Sequence, residues 1–298
     1  MDGLRAARRT IEIDGLHTQY FEAGRGKPLV LLHGGEFGGG AELCWEHNIL
    51  ALSEHYRVLA PDLLGFGGTA KVHDFVDGKA RRLRHLARFC EETGVDEGVF
   101  VGNSMGGAML LNDAAESSLL PASAIVSVCG GGALEKNEYV DSLFEYDGSL
   151  SGMKSILESL FEGEYWRTDP GYLNRRHAAS IVPGAWEAVA AARFRRPTAD
   201  PEQQPGRKPD LSSISVPVLI VEGGRDKIKP RGWAKDLAQV IPGATSAVIE
   251  RAGHCPQIEH PEKFHRLLLN FTRSGPAVSS YPPRRVSFAP RSEGVAQR

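Results

Sequence analysis

The chain has 298 residues, of which 41% are hydrophobic and 24% charged, close to ordinary globular usage of roughly 45–50% and 25%. These proportions exclude disordered and fibrous proteins, and α/β chains of this length often form one unit with a sizeable core. The 35 Lys+Arg and 37 Asp+Glu residues leave a net charge of −2. That balance gives no electrostatic reason to expect nucleic acid or an anionic membrane as a partner.

Cysteine usage and the absence of long apolar runs bear on the cellular compartment. The four cysteines are scattered and form no C-x-x-C pair, which predicts reduced thiols in a cytoplasmic protein rather than a disulfide framework or a zinc site: Cys44, Cys90, Cys129 and Cys255. No apolar segment follows the arginine-rich residues 1–10, which predicts that there is no signal peptide. No run approaches 18 apolar residues, so no membrane span is expected.

Strand and helix patterns alternate along most of the chain. Alternating segments at Thr10–Ile13 and His17–Glu22, around Asp14-Gly15, predict an opening β-hairpin. Six apolar runs predict strands buried on both faces of a parallel sheet: Pro28–Leu32, Tyr56–Ala60, Val99–Val101, Ile125–Cys129, Val216–Val221 and Ala247–Ile249. Helical patterns lie between them: Gly78–Thr93, Met105–Glu116, Arg231–Val240 and Pro261–Thr272. This order predicts an α/β fold with a doubly wound, mostly parallel eight-stranded sheet.

The alternation is interrupted once, between the sixth and seventh predicted strands. Residues 133–212 carry only helical patterning, which predicts a helical lid over the carboxyl ends of the strands, where such sheets bind ligands. The core domain then comprises residues 1–132 and 213–273. Four prolines between 196 and 210 predict the return linker, and the Ser/Pro/Arg-rich residues 274–298 predict a mobile tail.

A G-x-S-x-G motif is the sharpest chemical signal. Gly102-Asn103-Ser104-Met105-Gly106 directly follows one predicted strand and opens the helix Met105–Glu116. Glycines allow the tight strand-to-helix turn that exposes a serine hydroxyl above the sheet, so Ser104 is the predicted nucleophile. The motif alone would also fit a Gly-rich turn that carries a capping serine.

Two further motifs supply an acid and a base. Gly223-Gly224-Arg225-Asp226 follows the strand Val216–Val221, and Gly253-His254 follows Ala247–Ile249. The chain order Ser104, Asp226, His254 is the one expected when a catalytic triad lies on successive loops of this sheet. Other histidines lie within predicted helices and are expected at the surface: His47, His55, His85 and His265.

A glycine-rich loop supplies oxyanion donors. His33-Gly34-Gly35 ends the strand Pro28–Leu32, and glycines here let backbone N–H groups approach an oxyanion. The amides of Gly35 and Met105 are the predicted oxyanion hole, and His33 is expected to orient the loop.

With these motifs, residues 10–273 resemble an α/β-hydrolase, and more closely the meta-cleavage product hydrolases. That family breaks a carbon–carbon bond in vinylogous 1,5-diketones from aromatic-ring degradation. The elbow Gly102–Gly107 has the family's G-N-S-M-G-G form, and the loop at His33-Gly34-Gly35 is similar to theirs. Phe161 and Arg176, 15 residues apart, resemble the family's lid phenylalanine and carboxylate-binding arginine, with Arg175 as the alternative.

Substrate contacts implied by the resemblance are Gly34, Asn103, Phe161 and Arg176, although Asn103 fits a turn-stabilising role equally well. The sequence departs from the family in two places. Cys255 follows His254 where the family has tryptophan, and Glu36-Phe37 stands where the family favours Gly-Pro. Both departures touch the pocket wall and bear on the substrate.

The implied reaction is cleavage of a 2-hydroxy-6-oxo-hexa-2,4-dienoate. His254 and Asp226 would assist ketonisation of the dienol, and attack would come from Ser104 or from water that Ser104 and His254 orient. Hydrolysis of a neutral ester or lactone by the same triad is the alternative, and a non-catalytic ligand receptor is another. Haloalkane dehalogenases are disfavoured because their nucleophile would be an aspartate in place of Ser104.

Partners and cofactors follow from motifs that the sequence lacks. It contains no Walker A motif, no G-x-G-x-x-G after the first strand and no H-E-x-x-H, so neither a cofactor nor a metal is expected. The expected partner is a small-molecule substrate, and homo-oligomerisation is left open.

Overall fold

The computed structural model describes residues 6–72, 74–75, 77–191 and 209–274. Almost all of the predicted return linker and tail lies outside these residues, so both stay predictions.

Eight strands form one sheet in the order β1-β2-β4-β3-β5-β6-β7-β8. β2 pairs antiparallel with β1 and with β4, and the other neighbours are parallel. The bounds are Ala7–Ile13 (β1), Leu16–Ala23 (β2), Pro28–Leu32 (β3), Arg57–Pro61 (β4), Gly98–Asn103 (β5), Ala122–Val128 (β6), Val218–Gly223 (β7) and Thr245–Ile249 (β8). The predicted fold class is confirmed.

Strand β3 shows why continuous apolar runs mark this sheet. Leu29 and Leu31 pack into the hydrophobic cluster on one face, while Val30 and Leu32 pack into the cluster on the other. Successive side chains point to opposite faces of a strand, so a sheet that is covered on both sides needs apolar residues at every position.

Helices cover the sheet on both sides. Four of them match the predicted ones closely: Gly78–Glu92 (α3), Met105–Glu116 (α4), Trp233–Val240 (α10) and Pro261–Ser274 (α12). Three short helices were not predicted, because one turn or slightly more carries no periodic pattern: Ala41–Trp45 (α1), Ile49–Ser53 (α2) and Pro256–Glu259 (α11).

The expectation for the histidines was wrong in part. His85 is only 7% exposed, on the inner face of α3, where its Nε2 lies 2.9 Å from Thr18 Oγ of β2. The buried hydroxyl provides a hydrogen-bond partner for a ring that would otherwise favour the surface. His47 and His55 lie in turns rather than helices.

The described part of the segment between β6 and β7 contains five α-helices: Glu138–Phe144 (α5), Leu150–Leu160 (α6), Glu164–Thr168 (α7), Pro170–Ser180 (α8) and Ala185–Ala190 (α9). They share an apolar cluster with core residues Phe37, Ile228 and Cys255. The division into a core domain and a lid domain stays a prediction. Within the described ranges, no helix has the length and apolar character needed to cross a membrane.

Candidate active site

Ser104 lies on a strained turn between β5 and α4. Its φ of 50° and ψ of −112° place a non-glycine residue in the left-handed half of conformational space, a cost typical of nucleophile elbows. A Cβ on Gly102 would collide with the backbone of Gly106, and one on Gly106 would lie 2.7 Å from Leu32 O. The two glycines therefore let strand and helix close tightly around the serine.

The three predicted triad residues meet. His254 Nε2 lies 2.8 Å from Ser104 Oγ, and His254 Nδ1 lies 2.7 Å from Asp226 Oδ2. The side chains of His254 and Asp226 are each 2% exposed. Asp226 Oδ1 also accepts a hydrogen bond from Ile228 N at 3.0 Å. A carboxylate held in this way orients the imidazole so that Nε2 can accept the serine proton.

The loops that carry the acid and the base are locked together through backbone. A Cβ on Gly223 would overlap the carbonyl of Gly253, and Arg225 N donates to Ala252 O at 2.9 Å. His254 N donates to Leu160 O of α6 at 2.7 Å, which ties the base to the inserted helices. The glycines in the motifs of Asp226 and His254 thus allow the two loops to pack this closely.

Gly35 and Met105, the residues predicted to form an oxyanion hole, lie next to each other. A Cβ on Gly35 would lie 2.7 Å from Met105 Sδ, so only glycine lets the loop approach this closely. In the part of the chain that the structure describes, neither amide donates to a protein acceptor. His33 orients the loop as expected, since its Nε2 accepts from Leu63 N at 3.0 Å and its Nδ1 faces Gly34 O at 2.6 Å. Burial lowers the pKa of His33.

Asn103 ties the ends of three segments together. Its Nδ2 donates to Val128 O and to His254 O, each at 3.2 Å. Its Oδ1 faces the thiols of Cys44 and Cys255 at 3.9 and 4.0 Å. These contacts support the turn-stabilising role, and substrate binding by Asn103 stays a prediction.

Arg176 is buried in α8 and already has acceptors. Nη1 forms an ion pair with Glu36 Oε1 at 2.6 Å, while Nε and Nη2 donate to Tyr172 Oη at 3.1 and 3.0 Å. Burial alone would raise the pKa of Glu36, but the Arg176 guanidinium brings it below its usual value. Phe161 is fully buried, with its ring centre 5.9 Å from Arg176 Cζ.

Sequence reasoning missed the partners of Arg176. In the sequence Glu36 stands out only as a departure in the glycine-rich loop, and no pattern links it to a residue 140 positions away. Tyr172 precedes Arg176 by one helical turn, a spacing that could have suggested the contact.

A third missed residue is Glu259 in α11. Its Oε1 accepts from Gly253 N at 2.6 Å, and its Oε2 accepts from Gly163 N at 2.6 Å and from Glu162 N at 3.0 Å. One carboxylate therefore joins the loop of His254 to the inserted helices. No motif in the sequence points to this contact.

Cys129, at the end of β6, stands beside the acid and the base. Its thiol and the ligating atoms of Asp226 and His254 lie within 4.8 Å of one another. Burial, and then the Asp226 carboxylate, raise the pKa of the Cys129 thiol well above its ordinary value. The group beside the relay is therefore a neutral thiol rather than an anionic ligand.

Comparison with known proteins agrees with this geometry. Residues 29–267 match the sequence profile described as the Alpha/beta hydrolase family. The chain belongs to that family. This α/β hydrolase is 34% identical over 269 residues to 2-hydroxy-6-oxo-6-(2'-aminophenyl)hexa-2,4-dienoic acid hydrolase of Metapseudomonas resinovorans, covering 88% of this chain and 90% of that protein. It is 30% identical over 280 residues to 2-hydroxymuconate semialdehyde hydrolase of Pseudomonas putida, covering 91% and 96%.

A solved structure supports the same grouping. The α/β hydrolase superimposes on a meta-cleavage product hydrolase from Pseudomonas fluorescens IP01 with a TM-score of 0.78 and 27% identity, covering 89% of this chain and 97% of that one. The resemblance drawn from the elbow and loop motifs is confirmed.

Proposed function

We propose that this chain hydrolyses a carbon–carbon bond in a 2-hydroxy-6-oxo-hexa-2,4-dienoate, a meta-cleavage product of aromatic degradation. The observation that carries the proposal is a complete Ser104–His254–Asp226 relay in a chain that also buries an arginine, Arg176, in the inserted helices. Relatives that share most of the chain are named as hydrolases of such dienoates.

The triad supplies the proton transfers. His254, oriented by Asp226, moves a proton during ketonisation of the dienol and then accepts the proton of Ser104 Oγ as that oxygen attacks the carbonyl. The amides of Gly35 and Met105 stabilise the tetrahedral oxyanion, a contribution of about 3–4 kcal/mol per donor in serine hydrolases. The leaving carbon departs as a dienolate that is then protonated, and a water molecule, deprotonated by His254, hydrolyses the acyl group from Ser104. These steps need no cofactor.

Arg176 is the proposed partner of the substrate carboxylate. Its guanidinium is planar and permanently charged, which suits a carboxylate next to the enol. Phe161, packed against Arg176, would line the same end of the pocket together with Gly34 and Asn103.

A second candidate function is hydrolysis of a neutral ester or lactone. The Glu36–Arg176 ion pair favours it, because the pair satisfies the arginine without any substrate carboxylate. The triad chemistry would be unchanged.

One assay separates the two candidates. The purified protein is given a panel of yellow ring-cleavage products and, in parallel, p-nitrophenyl esters. We expect loss of the yellow absorbance with a kcat/KM that exceeds the value for the esters. Turnover of the esters alone would move the assignment to ester or lactone hydrolysis.

The four cysteines support a reducing, cytoplasmic location for this reaction. All four are free and buried in the folded chain. Thiol titration of the denatured, unreduced protein should find four reactive thiols, and recovery of two would contradict the cytoplasmic assignment.

A further inference from the structure

The Glu36–Arg176 ion pair lies against segments that carry the relay. Gly34, beside the Glu36 side chain, begins the oxyanion loop, and a Cβ on Gly34 would meet both Glu36 Oε2 and Asn103 Oδ1, the latter at 3.2 Å. Asn103 immediately precedes Ser104. The pair is thus linked through Gly34 to the residue that immediately precedes the nucleophile.

The carboxylate of Glu36 is buried between Arg176 and its own loop. Its side chain is 7% exposed and that of Arg176 is 1% exposed. A Cβ on Gly39 would lie 3.3 Å from Glu36 Oε1, so the loop packs against one carboxylate oxygen at Gly39 and against the other at Gly34.

The surroundings of the pair are otherwise uncharged. Burial lowers the pKa of His33, and burial raises the pKa values of Tyr172, Cys44 (to about 12) and Cys255. Among the described titratable groups that face Glu36, these four are neutral at pH 7 and Arg176 carries the balancing charge. They come from four places that approach the loop of Glu36: the end of β3 (His33), α1 (Cys44), α8 (Tyr172 and Arg176) and the segment before α11 (Cys255).

A second carboxylate at this place has an electrostatic consequence. A dienoate bound at Arg176 would bring two negative charges to one buried positive charge. An uncompensated buried charge costs several kcal/mol. Two carboxylates in one site avoid that cost by sharing a proton, so that only one of them is ionised.

We propose that Glu36 determines the charge selectivity of this site: a substrate carboxylate enters with one proton, which it shares with Glu36, whereas a neutral substrate leaves the ion pair intact. The proton comes from solvent, and no bond other than O–H forms or breaks. The inference rests on the proposed function, because it concerns how a dienoate reaches Arg176.

The test compares wild type with Glu36→Gln on two substrates between pH 6 and pH 8. The anionic substrate is 2-hydroxy-6-oxo-6-phenylhexa-2,4-dienoate and the neutral one is p-nitrophenyl butyrate. Glutamine keeps the size of Glu36 and an acceptor oxygen for Arg176 but needs no proton. The kcat/KM ratio of Glu36→Gln to wild type should therefore rise about tenfold per pH unit on the dienoate, as expected for uptake of one proton. On the ester the same ratio should not vary with pH.

The ion pair of the neighbouring arginine in α8, Arg175, provides a matched control. Arg175 Nη2 pairs with Glu46 Oε2, also at 2.6 Å, but the Arg175 side chain is 48% exposed. Glu46→Gln removes the same charge near the site and should leave the ratio close to one on both substrates at every pH.

Each outcome decides the matter. Dienoate turnover with a ratio that is flat across pH overturns the role of Glu36 but leaves the proposed function standing. If neither wild type nor Glu36→Gln cleaves the dienoate at any pH while ester turnover is intact, both the role of Glu36 and the proposed function are overturned. Calorimetry on Ser104→Ala, which keeps Glu36, gives a second measurement if Glu36→Gln does not fold. Binding of the dienoate in buffers of different ionisation enthalpy should show uptake of one proton, and uptake near zero overturns the inference.

Discussion

The carboxyl edge of the sheet and the inserted helices hold their predicted site residues in different ways. At the edge, Ser104, Asp226 and His254 each follow a strand and are fixed by glycine contacts of neighbouring backbone. In the insertion, Arg176 is fixed by side chains, including one that lies 140 residues away in sequence. Local backbone packing therefore holds the relay residues, whereas a side-chain pair between distant segments holds Arg176.

Two neighbouring arginines of α8 show how much burial decides. Arg175 and Arg176 each approach a carboxylate oxygen at 2.6 Å, but the Arg175 side chain is 48% exposed and that of Arg176 is 1% exposed. An exposed pair contributes about 0–1 kcal/mol, whereas breaking a buried one costs about 3–5 kcal/mol. At the same distance, the Arg175 pair is therefore a surface contact, whereas the Arg176 pair is strong enough to influence substrate binding.

The largest expected effect comes from the edge of the sheet. Ser104→Ala should reduce kcat by about 10⁶-fold, as in other serine triads, while the fold persists. Turnover and fluorophosphonate labelling both report on it. The control is Ser123→Ala, near the amino end of β6 and so at the edge of the sheet opposite the relay, and it should retain full activity. Residual activity of Ser104→Ala above a tenth of wild type, or failure of wild type to label, would show that Ser104 is not the nucleophile.

The second-largest effect is expected from Arg176, in the inserted helices. Arg176→Gln is best introduced together with Glu36→Gln, so that no buried carboxylate is left without its partner. Compared with Glu36→Gln, the double variant should lose about a hundredfold in kcat/KM on the dienoate, the size expected for a lost charged contact, and far less on a neutral ester. Lysine at position 176 should restore part of the loss because it lacks the planar fork. Equal losses on the two substrates would argue against carboxylate binding by Arg176.

Glu259 connects the two regions, and its loss should affect both. Glu259→Gln replaces one carboxylate oxygen by an amide that cannot accept from backbone N–H groups, so stability should fall by about 1–3 kcal/mol. Since Gly253 N is one of the donors, kcat should fall with it, by about tenfold. Urea unfolding and steady-state kinetics measure the two effects. Glu262→Gln, on the exposed side of the next helix, should change neither, and an unaffected Glu259→Gln would mean that the contact is dispensable.

The smallest effect lies away from both regions, at His85. Burial lowers the pKa of His85 to about 4, below the ordinary value of about 6.5. The unfolded chain therefore binds a proton before the folded chain does, and stability is lost as the pH falls from about 6.5 to about 4. After allowance for partial solvent access the loss should be about 1–2 kcal/mol. Urea unfolding of His85→Gln across this range should show a weaker dependence on pH than wild type, and identical curves would contradict the assignment.

Short-range patterns predicted most of the fold. Strand β3 begins and ends where its apolar run does, and α4 has the bounds Met105–Glu116 that the helical pattern gave. The hairpin turn followed from Asp14-Gly15, which adopt φ values of 49° and 74°. The short helices α1, α2 and α11 escaped prediction because their stability comes from tertiary contacts rather than from a periodic face.

The sequence by itself determined the sheet, the elbow and the identity of the relay residues, because each depends on a few consecutive residues and on the rule that parallel strands end at one edge. Only the tertiary structure decided that Glu36 neutralises Arg176, that Glu259 joins the base loop to the inserted helices, and that His85 is buried. Each of these is a side-chain contact between distant segments, and its strength depends on burial. Burial is a property of the whole packed chain, and no local pattern carries it.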